Sequence, residues 1–297
     1  MGAKLRVVRR RINTVQSTMK ITRAMELIAA SRIMKAQQRV EAARPYAMQL
    51  TRAMEDIARQ TGGVAHPLLE ERENPAHVGV LLLTSDRGLA GSYNTNVIRL
   101  AEQEMKRVRA RELESVLYVV GKKGQSYFRF RGEPMRGQWQ GVSEVPPYEA
   151  AEEIGRMVID DFADATIDEF VCVYTEFTSA FRQRAKQARF LPIAPAEIEG
   201  QIEGEKGEAH AEYIFEPEPE QILDSLLPQY IITKIYSAML ESAASENAAR
   251  RRAMKAATEN AEDLIKILVR QANQARQTEI TSEIMEIVGG AEALSKK

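Results

Sequence analysis

Between Lys4 and Arg59 the chain holds no glycine and a single proline, Pro45, and no other feature restricts the possible fold as tightly. Glycine and proline are the residues that cost a helix most, so this span points to one very long helix. Stepping alternately by three and four from Leu5 meets Val8, Ile12, Val15, Met19, Thr22, Glu26, Ala29, Ile33, Ala36, Val40, Ala43, Ala47, Leu50, Met54 and Ile57. Fourteen of these sixteen positions are apolar and the register never skips, which is the a/d seam of a coiled coil. Pro45 removes one backbone donor and crowds the preceding turn, so a bend or a joint is expected near Ala43.

A lone helix would leave that seam in water, and the other end of the chain offers a partner. From Ile222 to Val288 glycine is absent and Pro228 is the only proline, while alanines such as Ala243, Ala244, Ala248 and Ala249 permit close helix approach. Pro219 stands where a helix start tolerates proline. The middle of the chain has a different period. Val78–Leu83, Val116–Val120 and Phe170–Tyr174 are short apolar runs, with a further extended segment near Ala188–Leu191, and helical patterns fill Thr95–Arg109 and Ala150–Ala163. Strands alternating with helices predict a small α/β domain with a largely parallel sheet. The expected divisions are 1–60 for the first helix, 76–194 for the α/β domain, 195–218 for an acidic connection and 219–297 for the second helix and its tip. That connection begins a stretch, 195–226, carrying ten acidic residues against Lys206 alone.

The two helices can share a seam only if they run antiparallel, giving a rod on a globular foot. At about 1.5 Å per residue the second is the longer by roughly 20 Å. If Ile57 pairs near Leu226, Ala3 lies near Ile280, and the residues beyond have no internal partner. Ile280, Ile284, Ile287, Val288 and Ala291 then form an apolar face on a projecting tip, a solubility liability unless another protein encloses it. The free chain is expected to be poorly soluble and to lose helicity without such a partner. Residues 1–35 carry nine basic side chains, Arg9 and Arg10 among them, against Glu26 alone. Such a run is either a solvated helix face or the complement of an acidic partner surrounding the rod.

Whole-chain composition excludes several classes. Forty-one basic and 42 acidic residues give a net charge of -1, which offers no general reason to bind nucleic acid or an anionic membrane. One cysteine, Cys172, cannot build a disulfide framework or a cysteine zinc site, and His66, His77 and His210 have no metal-ligand spacing, so no metal or cofactor is expected. No apolar run approaches the roughly 20 residues that a membrane span needs.

The stretches INTVQSTMKITRAMELIAASRIMKAQ, TSDRGLAGSYN, ASENAARRRAMKAATENA and ITSEIMEIVGGAEA together resemble the gamma subunit of F-type ATP synthases over nearly the whole chain. In the tail, Ile280, Thr281, Glu283, Glu286, Gly290 and Ala291 match that family's C-terminal signature. The resemblance implies an antiparallel coiled coil of N- and C-terminal helices plus a Rossmann-like α/β foot domain. It also implies a non-catalytic rotor shaft, one copy per complex, inside a hexamer of alpha and beta subunits, with the epsilon subunit and the c-ring at the foot and membrane contact only through the complex. By the same resemblance, Arg276, Gln277 and Thr281 match positions that hydrogen-bond to the catalytic subunits. Met25 matches one facing an acidic loop of the beta subunit, an ordinary coiled-coil flank being the alternative. The tip from Ile284 to Leu294, with Ile287 and Val288, would turn in a hydrophobic sleeve. The chain lacks the cysteine-bearing insertion of chloroplast members and a transit peptide, so a bacterial origin at the cytoplasmic face of the plasma membrane is expected. The stretch IEGEKGEAHAE fits no pattern of the family.

Two rival readings use the same residues. The loop 84–94 follows a strand and precedes a helix, where glycines can cradle a phosphate, but it is neither GxGxxG nor a GK[ST] loop, and Gly88 and Gly91 are read as serving the tight turn. The basic outer helix is similar to a groove binder of DNA in charge alone, since the heptad seam runs straight through it.

Overall fold

The computed structural model describes residues 3–61, 66–179, 181–193 and 219–295, so the acidic connection 195–218 lies outside the described residues. The first helix, α1 (Ala3–Thr61), runs unbroken through Pro45, and the expected joint does not interrupt it. Pro45 is exposed, which lets water satisfy the carbonyl whose helical donor is missing. None of the sixteen seam positions is exposed, from Leu5 to Ile57, as a buried stripe of period 3.5 requires.

Then follow β1 (His77–Leu83), α2 (Tyr93–Ala110), β2 (Glu114–Val120), α3 (Lys122–Phe130), β3 (Gly137–Trp139), α4 (Tyr148–Ala163), β4 (Glu169–Phe177), β5 (Gln183–Leu191) and the long α5 (Pro219–Ser295). The strands form one sheet in the order β3-β2-β1-β4-β5. β1 pairs in parallel with β2 and β4, β2 with β3, and only the edge strand β5 is antiparallel, to β4. This is the strand order of a doubly wound domain, whose direction reverses on either side of β1.

The chain divides into two compact units: 30–249, and 1–29 with 250–297. In the first unit, strand alternation sends β1 side chains to both faces of the sheet. Val78, Val80 and Leu82 join Val97, Ala101 and Met105 of α2 and Phe128 of α3. Leu81 and Leu83 join Ile154 and Val158 of α4, Leu227, Ile231 and Ile235 of α5, and Leu50, Met54 and Ile57 of α1. A sheet covered on both faces explains why β1 reads as an uninterrupted apolar run. The α4–α5 approach is close: a Cβ on Gly155 would lie 2.6 Å from Ile232 Cγ1.

In the second unit the two helices are antiparallel. Thr22 Oγ1 meets Thr258 Oγ1 at 2.8 Å, and nearer the ends Leu5 and Val8 share a groove with Ala275 and Thr278. The expected neighbourhood of Ala3 and Ile280 therefore holds to within about one turn.

Candidate functional site

In a doubly wound sheet a ligand normally sits beyond the carboxyl ends of the strands, where the strand order reverses. Here that crevice is filled by the chain itself. Thr175 N–H, near the end of β4, donates to Ser242 Oγ at 3.4 Å, Ser245 Oγ donates to Thr175 O at 3.2 Å, and Phe177 N–H donates to Glu241 Oε2 at 3.3 Å. These partners all lie on α5. What remains among Leu83, Thr84, Tyr93, Val120, Ser143, Met239 and their neighbours is a void of about 10 Å³, near the size of one water and far below that of a nucleotide.

The loop 84–94 also spends its polar groups internally. Thr84 Oγ1 donates to Val120 O at 2.7 Å and accepts from Gly124 N–H at 2.9 Å. Ser85 N–H donates to Asn94 Oδ1, and Asp86 accepts from the backbone of Lys122 and Ser143 while its own N–H donates to Ser143 Oγ. The left-handed positions are Leu89 (φ 62°) and Gly91 (φ 56°), so Gly91 serves the turn as expected, while Gly88 is not among the positive-φ glycines. A phosphate-cradling role is thus disfavoured by geometry: the groups that would hold an anion already hold the loop. Cys172 is fully buried and burial pushes its thiol up, which keeps it protonated and unreactive. Among the described residues no three His, Cys, Asp or Glu side chains are placed to hold a metal ion, and no helix is long and apolar enough to cross a membrane.

The remaining surface of interest is the unit 1–29 with 250–297. At about 100° per residue, Arg276, Ile287, Ile280, Ile284, Gln277, Val288 and Thr281 fall within an arc of about 140° on α5. All seven are exposed, Ile284 at 54% and Ile287 at 71%. The residues facing α1 across the groove, Gln271, Gln274, Ala275, Thr278, Glu279 and Ser282, lie on the opposite side of the helix. That arc holds one cation and no carboxylate, since Glu279, Glu283 and Glu286 all fall outside it. Thr281 Oγ1 donates to Gln277 O at 2.9 Å, so its proton is committed while its lone pairs face outward. Side chains beyond Ala291 lie outside the described residues.

The α1 candidates are spread more widely. Arg9 and Arg10 are exposed and about 100° apart, and Met25 is half-buried about 22 Å further along the axis. The structure does not bring the three together. It does place Arg10 with Val7, Thr14, Ile21 and Ile28 on a stripe that stepping from Leu5 does not pick out, turned away from the seam, whereas Thr18 and Met25 flank the seam. Val7, Ile21 and Ile28 are exposed, and the hydroxyls of Thr14 and Thr18 donate to Arg10 O and Thr14 O. This second stripe also carries no carboxylate. Its signal is present in the sequence, since alternate steps of three and four from Val7 meet Arg10, Thr14, Ile21 and Ile28, though not Met25.

Comparison with known proteins bears on what such a surface serves. A family model described as ATP synthase matches residues 4–294. The ATP synthase gamma chain of Acidothermus cellulolyticus is 52% identical over 298 residues, covering 99% of this chain and 98% of that one, and that of Thermobifida fusca is 50% identical over 300 residues with the same coverage. Among solved structures, a chain of the Tetrahymena thermophila mitochondrial ATP synthase central stalk and c-ring superposes with a TM-score of 0.57 at 26% identity, covering 80% of this chain and 99% of that one. A chain of the Euglena gracilis mitochondrial ATP synthase rotor has a TM-score of 0.65 at 17% identity, covering 94% and 100%, and supports the fold. With the family model and these relatives spanning nearly its whole length, the chain belongs to the ATP synthase gamma-chain family.

Proposed function

We propose that this chain is the central-stalk subunit of a bacterial F-type ATP synthase, a rotor shaft without catalytic residues of its own. The observation that carries the reading is the tip of α5, whose outward arc from Arg276 to Val288 exposes four aliphatic side chains, one cation and no carboxylate and has no partner helix among the described residues, in a chain half identical to gamma chains throughout. In this reading the paired helices turn inside a hexamer of alpha and beta subunits. The α/β unit meets the epsilon subunit and the c-ring, and the chain touches the membrane only through the complex, at its cytoplasmic face, in one copy. Arg276, Gln277 and Thr281 supply polar contacts to the catalytic subunits, and Ile284, Ile287 and Val288 an apolar bearing surface. Arg9, Arg10 and Met25 face acidic elements of the surrounding subunits.

The mechanism follows from differential contact. An asymmetric shaft favours one arrangement of a threefold partner at each angle, and an effector shifts an equilibrium only by the difference in its interaction with the two states. Each charge crossing 100 mV supplies about 2.3 kcal/mol. Moving a site from 1:99 to 99:1 takes about 5.5 kcal/mol, so a few protons per step suffice. An arc free of carboxylates between 276 and 288 lets the tip turn without that face exchanging fixed ion pairs at each angle, each of which would add a barrier.

The test is reconstitution of this chain with the alpha and beta subunits of its own complex, beside a version ending at Gln277. Assembly of one copy per hexamer, with turnover that falls or loses direction on truncation, supports the reading. Failure of the full chain to associate refutes it.

A further inference from the structure

We infer that Glu144 is a positioning residue that keys α1 to the loop after β1 and keeps the long helix from twisting against the sheet under load. The inference rests on the rotor-shaft reading, because a twisting load is what gives such a key its purpose. Arg32 Nη1 on α1 lies 2.7 Å from Glu144 Oε2, and Arg87 Nη1, in the 84–94 loop, lies 3.6 Å from Glu144 Oε1. One carboxylate therefore faces both guanidinium groups, one through each oxygen. Its side chain is 17% exposed, that of Arg32 35% and that of Arg87 69%, so the closer pair is also the better shielded from solvent and salt.

The residues next to Glu144 and Arg87 are fastened to each other. Asp86 N–H donates to Ser143 Oγ at 2.9 Å and Ser143 N–H donates to Asp86 Oδ2 at 3.2 Å. Asp86 Oδ1 also accepts from Lys122 N–H at the start of α3. The carboxylate that receives Arg32 is thus mounted on a loop pair anchored to the sheet rather than on a free loop. Along α1 the apolar residues that enter the sheet's core, Leu50, Met54 and Ile57, begin 18 residues beyond Arg32, about 27 Å along the helix. Apolar packing is non-directional and resists axial rotation of a smooth helix weakly. A charged arm reaching from the helix surface to a fixed carboxylate resists it at a long radius. Arg32 is one of the nine basic residues of the first 35, and here its charge has a partner within the chain.

The experiment uses the full chain in two settings. With Lys35→Cys and Leu89→Cys carrying spin labels, both sites being exposed and Cys172 buried, the distance distribution reports whether α1 holds to the loop. Glu144→Gln and Arg32→Gln are expected to raise the detached population about twofold to fivefold, with the double variant no worse than either single one. Arg32→Lys, which keeps the charge, should restore the native distribution, and Arg87→Gln should have the smaller effect. In vesicles containing the whole complex, Glu144→Gln should lower the protons pumped per ATP hydrolysed. Unchanged distances in both single variants, or additive effects in the double variant, would overturn the key. A wild-type chain that does not assemble or pump would instead overturn the rotor-shaft reading on which it rests.

Discussion

Thr22 and Thr258 face each other across the paired helices with their hydroxyl oxygens 2.8 Å apart, a buried polar layer in a mostly apolar seam. Each oxygen also lies within hydrogen-bonding distance of its own helix, Thr22 of Met19 O and Thr258 of Met254 O. Two protons serve three contacts, so one threonine donates to its backbone carbonyl while the other donates across the interface. A directional contact of this kind fixes register in a way that alanine and leucine cannot.

Replacing either residue by valine should therefore cost about 1 kcal/mol, because the remaining hydroxyl keeps a backbone acceptor but loses its partner. The double valine variant should cost less than the sum of the two. Thermal unfolding of the full chain followed by circular dichroism measures both, and strictly additive losses would show that the hydroxyls do not act as a pair.

Two glycines should differ in their response to alanine. At Gly121 the backbone is left-handed (φ 92°) and a Cβ would fall 2.2 Å from the Thr84 carbonyl oxygen, whereas at Gly155 the obstacle is the Ile232 side chain. A side chain can shift and a backbone carbonyl in a bonded loop cannot. Gly155→Ala is expected to destabilise by about 1–3 kcal/mol and Gly121→Ala by more. Denaturant midpoints in the opposite order would contradict this account.

Acid should weaken the α/β unit through two carboxylates. Burial pushes both Asp161 and Asp168 up, but the bonds they accept outweigh it and hold them below the usual carboxylate range. Asp161 accepts from Arg136 and Tyr118, and Asp168 from the backbone of Ala76 and His77 and from Arg72. A carboxylate depressed on folding contributes stability that is full above its unfolded pKa of about 4 and is lost as the pH falls through the folded value. Urea midpoints should fall between about pH 5 and pH 2, and Asp161→Asn or Asp168→Asn should be less stable at neutral pH with a flatter acid slope. A slope unchanged in both variants would remove these residues from the explanation.

On α5, substitutions should separate by face. Ile284→Ser with Ile287→Ser removes exposed apolar area, so the free chain is expected to aggregate less while its helix content stays the same. In the assembled complex the same change should slow ATP turnover, and Glu283→Gln, outside the arc, should not. Equal effects from both faces would sink the assignment of the arc as a bearing surface.

Much of this architecture is local in origin and legible in the sequence. The seam from Leu5 to Ile57, the runs that form β1, β2 and β4, and the tip arc are periodic properties of neighbouring residues. What escapes such reading is α3 and β3. The two glycines of GKKG, residues 121–124, disfavour a helix, yet Gly124 sits inside α3 because a Cβ there would lie 2.8 Å from Thr84 Oγ1 and 2.9 Å from Val119 Cγ1. The glycine meets a packing demand from another strand. β3 has three residues, too few for any period to register.

The sequence by itself determined that two terminal helices share a seam, how their registers meet, and that α5 ends in an unpartnered apolar face, because helix period and residue type carry those facts within a few turns. Only the tertiary structure decided that α5 closes the crevice beyond β4 with Ser242 and Ser245, and that Glu144 meets both Arg32 and Arg87. Such contacts join positions far apart along the chain, and their geometry depends on how the loops return to the sheet. Periodicity says which way a side chain points, and the path of the chain says what it finds there.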